Sequence, residues 1–214
     1  MVQSQAANLH HNLLKDFLSN KKTKGILETI ETTVIALAIF AVIYLTIAVP
    51  NKVEGQSMEP NFHQSDLLIT NKTIQYLGTT CFGEKYDYNY KRGDVVIVKQ
   101  GRTDLIKRIV AVEGEKVEIK NNGVYINGEK LNEKYLQTTT RTKLPLSELS
   151  IVREGRTITV PENSFFVMGD NRENSKDSRF NEVGFISRDE LKGKVVLRYW
   201  PLSKIGLIHR GEYD

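Results

Sequence analysis

Eighteen consecutive residues, Thr32 to Val49 (TTVIALAIFAVIYLTIAV), carry no charge, and a helix needs about 17 to 25 apolar residues to cross a bilayer core. No second run of this kind occurs in the sequence. Lys15, Lys21, Lys22 and Lys24 stand upstream with only Asp16 against them as far as residue 24, and the nearest downstream cation is Lys52. An excess of cations on one flank keeps that flank in the cytoplasm. The expected layout is therefore a cytoplasmic segment over 1–31, a transmembrane anchor over 32–49 and an extracytoplasmic domain over 50–214 in the cell membrane, spanning it once. A cleaved export signal is the competing reading, but its apolar stretch is typically about 7 to 15 residues. A core helix of a soluble domain is a third reading, and nothing nearby is apolar enough to cover every side of the run.

Past Pro50 the apolar clusters are short, β-branched and bounded by Gly, Asn and Pro, which is the pattern of strands. Candidates are 67–70, 95–99, 105–112, 116–120, 124–126, 157–160, 164–168 and 194–199. Asn121-Asn122-Gly123 lies between two of them as a hairpin turn, followed by Asn127-Gly128. No alternation of strand and helix appears, so a parallel doubly wound sheet is disfavoured. The fold class expected is mainly β: one N-terminal transmembrane helix, then an exported antiparallel sheet domain with a small β excursion over about 121–160. Helix beyond residue 50 is expected only at Ser187 to Leu191, where Ser187 and Glu190 have capping-box spacing. Tyr86-Asp87-Tyr88-Asn89-Tyr90 alternates aromatic and polar residues and reads as an edge strand, with a surface resting at lipid headgroups as the alternative.

Composition removes several chemistries. Cys81 is the one cysteine, so an intrachain disulfide and a multi-cysteine metal site are both impossible. The four histidines, His10, His11, His63 and His209, lack His-Glu-x-x-His spacing. No metal or other cofactor is expected. Thirty Lys and Arg against 26 Asp and Glu leave a formal charge of +4, spread along the chain, which gives no basic patch for nucleic acid.

A hydrolase without a suitable histidine or metal needs another base for a serine, and a desolvated lysine can serve. In Leu105-Ile106-Lys107-Arg108-Ile109-Val110-Ala111-Val112 a period of two sets Lys107 on one face with Leu105, Ile109 and Ala111. Hydrocarbon around an ammonium disfavours its charge, so the pKa should fall from about 10.4 toward roughly 7 to 8, where a general base works near neutrality. Arg108 faces the other way with Ile106 and Val110, and cannot be a base because guanidinium keeps its proton. A carboxylate partner is expected for it. Gly55-Gln56-Ser57-Met58-Glu59-Pro60 holds a bend that presents Ser57 on stiff backbone. From Val49 to Ser57 the chain reaches at most about 27 Å, so this serine stays close to the membrane surface. A third polar cluster, residues 168–179, follows an apolar strand.

Taken together, GQSMEP (55–60), RGDVVIVK (92–99), DLIKRIVAVEGE (104–115) and MGDNRENSKDSR (168–179) make this sequence resemble the type I signal peptidases of bacteria, in the small single-anchor form of Gram-positive species. The resemblance implies a membrane-bound serine endopeptidase that uses a Ser/Lys dyad, without cofactor, to remove signal peptides from exported preproteins after small-x-small (Ala-x-Ala) sequences. By position it implies Ser57 as nucleophile and Lys107 as general base. Ser175 is similar to the serine that orients the lysine. Arg108 with Asp170, and Asp177 with Arg179, are implied as structural supports, and Met58, Leu105 and Ile106 as shapers of the substrate pockets. Some members carry a serine two residues before the nucleophile as an oxyanion donor, and here that position is Gly55. The implied partners are signal peptides and the bilayer, with no nucleic acid and no stable partner subunit. The motifs leave open a peptidase dedicated to one secreted or conjugative substrate, and an inactive signal-peptide binder.

Overall fold

A computed structural model describes residues 21–101 and 103–213; the N-terminal tail with His10 and His11 lies outside the described residues. The chain divides into two compact units, one ending at Thr46 and the other spanning Ile47–Asp214.

The first unit contains helix α1 (Lys21–Thr46). Within it, Lys22–Tyr44 is 23 residues of helix long and apolar enough to cross a membrane, or about 34 Å at 1.5 Å per residue. Ile26, Ile30, Val34, Leu37 and Phe40 are all exposed, so the unit has apolar side chains in need of a non-aqueous surrounding. Thr29, Thr32, Thr33 and Thr46 turn their hydroxyls back onto carbonyls four residues earlier, within the helix itself. That leaves no unpaired polar hydrogen at these positions to oppose burial in lipid. The helix stops at Thr46, and Ala48 and Val49, the end of the uncharged run, open a strand instead. Pro50 has no amide hydrogen for a helix to use, whereas an edge strand tolerates it.

The second unit is built from strands: β1 (Ala48–Lys52), β2 (Leu67–Asn71), β3 (Val95–Gln100), β4 (Thr103–Ala111), β5 (Lys116–Lys120), β6 (Gly123–Ile126), β7 (Glu129–Lys130), β8 (Ile158–Thr159), β9 (Ser164–Met168), β10 (Ile186–Ser187), β11 (Leu191–Trp200) and β12 (Gly206–Leu207). The larger sheet runs β1-β2-β11-β3-β4-β9-β10, with β12 added to β11, and the smaller runs β7-β6-β5-β8. Every pairing is antiparallel. The protein is thus mainly antiparallel β with one N-terminal apolar helix. Asn121 and Asn122, at φ 51° and 58°, make the two-residue turn between β5 and β6, because paired left-handed residues match the twist of a hairpin.

β3 is buried on both sides. Val96 and Val98 join Ile109, Val167, Leu191 and Ile74 in one core cluster, while Val95 and Ile97 join Ile106, Met58, Phe62 and Leu68 in another. The strand alternation of its uninterrupted Val-Val-Ile-Val therefore feeds two cores. A third cluster links the two sheets through Val110, Ala111, Val117, Ile119, Phe166 and Met168. Ala111 belongs to this cluster and not to the Lys107 face, because the register against β9 shifts between Ile109 and Ala111 and a bulge re-aims the side chains beyond it.

Two short helices, α2 (Thr73–Leu77) and α3 (Cys81–Lys85), were not legible, since five residues carry no helical period. The edge strand expected at Tyr86 to Tyr90 does not form. Asp87 is left-handed (φ 52°) after α3, and the next two tyrosines turn inward: Tyr88 Oη accepts from Asn71 Nδ2 at 2.8 Å, and Tyr90 is buried edge-on against Phe165. At Ser187 the expected cap is present, its amide donating to Glu190 Oε2 at 2.8 Å over a single 3-10 turn.

Candidate active site

The segment between β1 and β2 bends at Gly55, whose φ of +86° is a conformation that L side chains rarely adopt. Val53 before the bend and Met58 after it, both almost fully buried in one core cluster, peg the backbone that carries Ser57 from either side. A second loop, running on from the end of β9, grips it from outside. The Asn171 amide donates to Ser57 O at 3.0 Å, and Asn171 Nδ2 donates to Gln56 O at 3.1 Å. Ser57 thus sits on backbone held from both sides, while its own amide donates to no acceptor among the described residues.

Lys107, on β4, is 2% exposed. Its Nζ lies 2.8 Å from Ser57 Oγ and donates to Ile106 O at 3.0 Å. Burial lowers its pKa to about 8; Asp177 and Asp170 pull it partly back up and Arg179 pushes it down. About a tenth of the amine is therefore neutral at pH 7, far more than for an ordinary lysine, and can accept a proton.

Arg108, the next residue, points the other way. Its Nε and Nη2 donate to the two oxygens of Asp170 at 2.9 and 2.7 Å, Nη1 donates to Gly93 O at 2.9 Å, and the guanidinium lies 4.1 Å from the Tyr135 ring centroid. Asp177 and Arg179 form a second bidentate pair at 2.8 and 2.9 Å. Asp177 also accepts from the Gly169 amide at 3.1 Å, and Arg179 donates to Arg172 O and Ser175 O at 2.8 and 3.3 Å. These contacts fix the loop that holds Ser57.

Ser175 is buried next to the dyad, yet its Oγ has no hydrogen-bond partner, so the bond to Lys107 that the resemblance implies is not made. Its hydroxyl packs on Gly169, where an added Cβ would lie well under 3.0 Å from both Ser175 Oγ and Ser57 O. Of the three implied pocket residues, Leu105 lines the open cleft of about 600 Å³ over Ser57 and Lys107. Met58 and Ile106 lie beneath it in the core.

Several supporting residues are not among those the sequence singles out, although Arg172 lies within the 168–179 segment. Arg172, buried in the same loop, donates to Glu133 Oε2 and to Thr142 Oγ1, both at 2.7 Å. Burial alone would lower its pKa, but Glu133 outweighs it and the guanidinium is held above its ordinary value. Burial raises the pKa of Tyr135 well above the usual phenol range and that of Tyr213 to about 12, so both remain neutral donors. Asn61 Nδ2 completes Asp170 at 2.8 Å. The signal for these was only that buried charge requires a partner, which says that a carboxylate is needed and not which one.

A buried lysine in contact with a serine, opening onto a cleft, is an arrangement for acyl transfer. Comparison with known proteins points the same way. The family model "Signal peptidase, peptidase S26" matches residues 26–200. Signal peptidase I P of Bacillus subtilis subsp. natto is 32% identical over 187 residues, covering 86% of this chain and 95% of the relative. Signal peptidase I T of Bacillus subtilis (strain 168) is 34% identical, covering 87% and 92%. Signal peptidase IB of Staphylococcus aureus (strain COL) is 31% identical, covering 85% and 93%.

Proposed function

The chain belongs to the peptidase S26 signal peptidases, and from that premise we propose that Ser57 and Lys107 are the catalytic dyad with which it removes signal peptides from exported preproteins. The protein is a membrane-anchored serine endopeptidase. The observation that carries the dyad is the 2.8 Å separation of Lys107 Nζ and Ser57 Oγ, with the amine stripped of water.

The reaction follows from that geometry. Neutral Lys107 takes the Ser57 proton as Oγ bonds to the scissile carbonyl carbon, and the carbonyl electrons move to oxygen. The unpaired Ser57 amide stabilises the resulting oxyanion. Collapse of the intermediate breaks the C–N bond, and protonated Lys107 gives its proton to the departing amine. A water, deprotonated by the same lysine, releases the signal peptide from the acyl-enzyme.

Cleavage after Ala-x-Ala is the specificity we propose. An extended peptide presents alternate side chains to one wall, and the wall here is Leu105 backed by Met58 and Ile106. The anchor is α1 with its N-terminus cytoplasmic and the β domain outside, supported by the lysines that precede it. Ser175 orients the lysine once substrate closes the cleft, and the Arg108–Asp170 and Asp177–Arg179 pairs support the loops. Substrate and site then share one membrane, which raises their effective concentration.

The test is cleavage of an Ala-x-Ala preprotein by detergent-solubilised full-length protein, with the new N-terminus read by mass spectrometry. Wild type should cut after the second alanine, while Ser57→Ala and Lys107→Met should not. Equal cleavage by Lys107→Met would remove it as the base.

A further inference from the structure

The Ser57 amide supplies one oxyanion donor, and Gly55 has no side chain to supply a second. A Cβ built at Gly55 meets nothing within 4 Å, so no neighbouring group occupies that space. The Gly55 amide is engaged as well, because it donates to Gln64 Oε1 at 2.5 Å. That bond settles how the Gln64 carboxamide is turned. An N–H can be met only by the amide oxygen, so the –NH2 end faces the other way. Gln64 lines the same cleft as Ser57 and Lys107, and its Nε2 donates to no acceptor among the described residues.

Of the other polar ends in the cleft, Lys176 is paired with Glu182. The Gln56 carboxamide, whose Nε2 also donates to no acceptor among the described residues, is held by its oxygen only through a 3.4 Å bond from Asn174 Nδ2, against 2.5 Å for Gln64. The geometry points to Gln64 as a further catalytic residue: its Nε2–H donates to the oxyanion beside the Ser57 amide, in place of the hydroxyl that Gly55 lacks. This rests on the Ser57/Lys107 reading above and deepens it. A primary amide is a suitable donor, being neutral at every working pH and already held by its oxygen, so little ordering is needed when charge develops.

Two substitutions separate the donor from the acceptor half of the side chain. Gln64→Glu keeps an oxygen for the Gly55 amide and removes the N–H, whereas Gln64→Met removes both without adding charge. Full-length protein in detergent is assayed on the Ala-x-Ala preprotein, with kcat and KM taken at the high-pH plateau of each enzyme, so that a carboxylate acting on the Lys107 titration is not mistaken for loss of the donor. Both variants should lose about 10²-fold or more in kcat, with KM within about threefold and Tm near that of wild type. Wild-type kcat in Gln64→Met overturns the proposal, since a loss confined to Gln64→Glu is then a through-space charge effect. Wild-type kcat in Gln64→Glu also overturns it, by showing that only the bond to Gly55 matters. A loss in KM instead of kcat overturns it too. Cleavage by Ser57→Ala at the wild-type rate would sink the dyad reading itself, whatever Gln64 does.

Discussion

Arg108 Nε and Nη2 reach the two oxygens of Asp170 at 2.9 and 2.7 Å, and the pair is buried one residue along β4 from Lys107. Adjacent strand residues face opposite ways, so the strand that delivers the base into the cleft also ties itself, from its other face, to the loop that holds Ser57.

Breaking one half of that pair strands the other. Asp170→Ala should destabilise the domain by about 3 to 5 kcal/mol, the usual cost of an uncompensated buried charge. The double variant Arg108→Met/Asp170→Leu should recover most of it. Chemical denaturation of both checks this, and additive losses would show that the two side chains act independently.

The same strand shows what a sequence can disclose. Opposite facing of Lys107 and Arg108 follows from the period of two, and the turn at Asn121-Asn122 from residues that tolerate left-handed backbone. Glu133, Tyr135, Thr142 and Tyr213 were out of reach because they meet Arg172 and Arg108 only after the smaller sheet and the C-terminal segment have folded over the site. Nor did alternation at Tyr86 to Tyr90 make a strand: a free phenol and a buried ring were better satisfied by Asn71 and Phe165. The motif around Ser57 marked Met58 without saying that its side chain points down into the core.

Burying the base has a stability signature. With its pKa lowered from 10.5 to about 8 in the folded protein, Lys107 destabilises the fold wherever both states are protonated, by about 3 kcal/mol at pH 7. Between about pH 8 and 10.5 the unfolded chain binds more protons, so this penalty fades as pH rises. Lys107→Met should therefore have a higher Tm than wild type at pH 7, with the gap narrowing toward pH 10. A Tm difference that does not change with pH would contradict the shift.

Gly169 has no room for a side chain. Gly169→Ala would drive a methyl into Ser175 Oγ and the Ser57 carbonyl, and even a shift of about 1 Å in a reacting atom costs about 10² in rate. Activity should fall by at least that factor. Near-wild-type activity would mean that the loop gives way more easily than its hydrogen bonds imply.

Ser175→Ala separates stability from catalysis. Its Oγ is buried and unpaired in the free protein, so removing it should leave stability within about 0.5 kcal/mol of wild type or raise it slightly. If the hydroxyl orients Lys107 during turnover, kcat should fall at least about tenfold. A loss of stability without loss of kcat would make Ser175 structural only.

Whether a desolvated Lys107 is the base for Ser57 is read from the pH dependence of kcat/KM for full-length protein on the Ala-x-Ala preprotein. Because the neutral amine is the active form, the rate should rise with pH through a midpoint near 8 and level off above it. A profile flat between pH 6 and 10 would show that Lys107 is not the base.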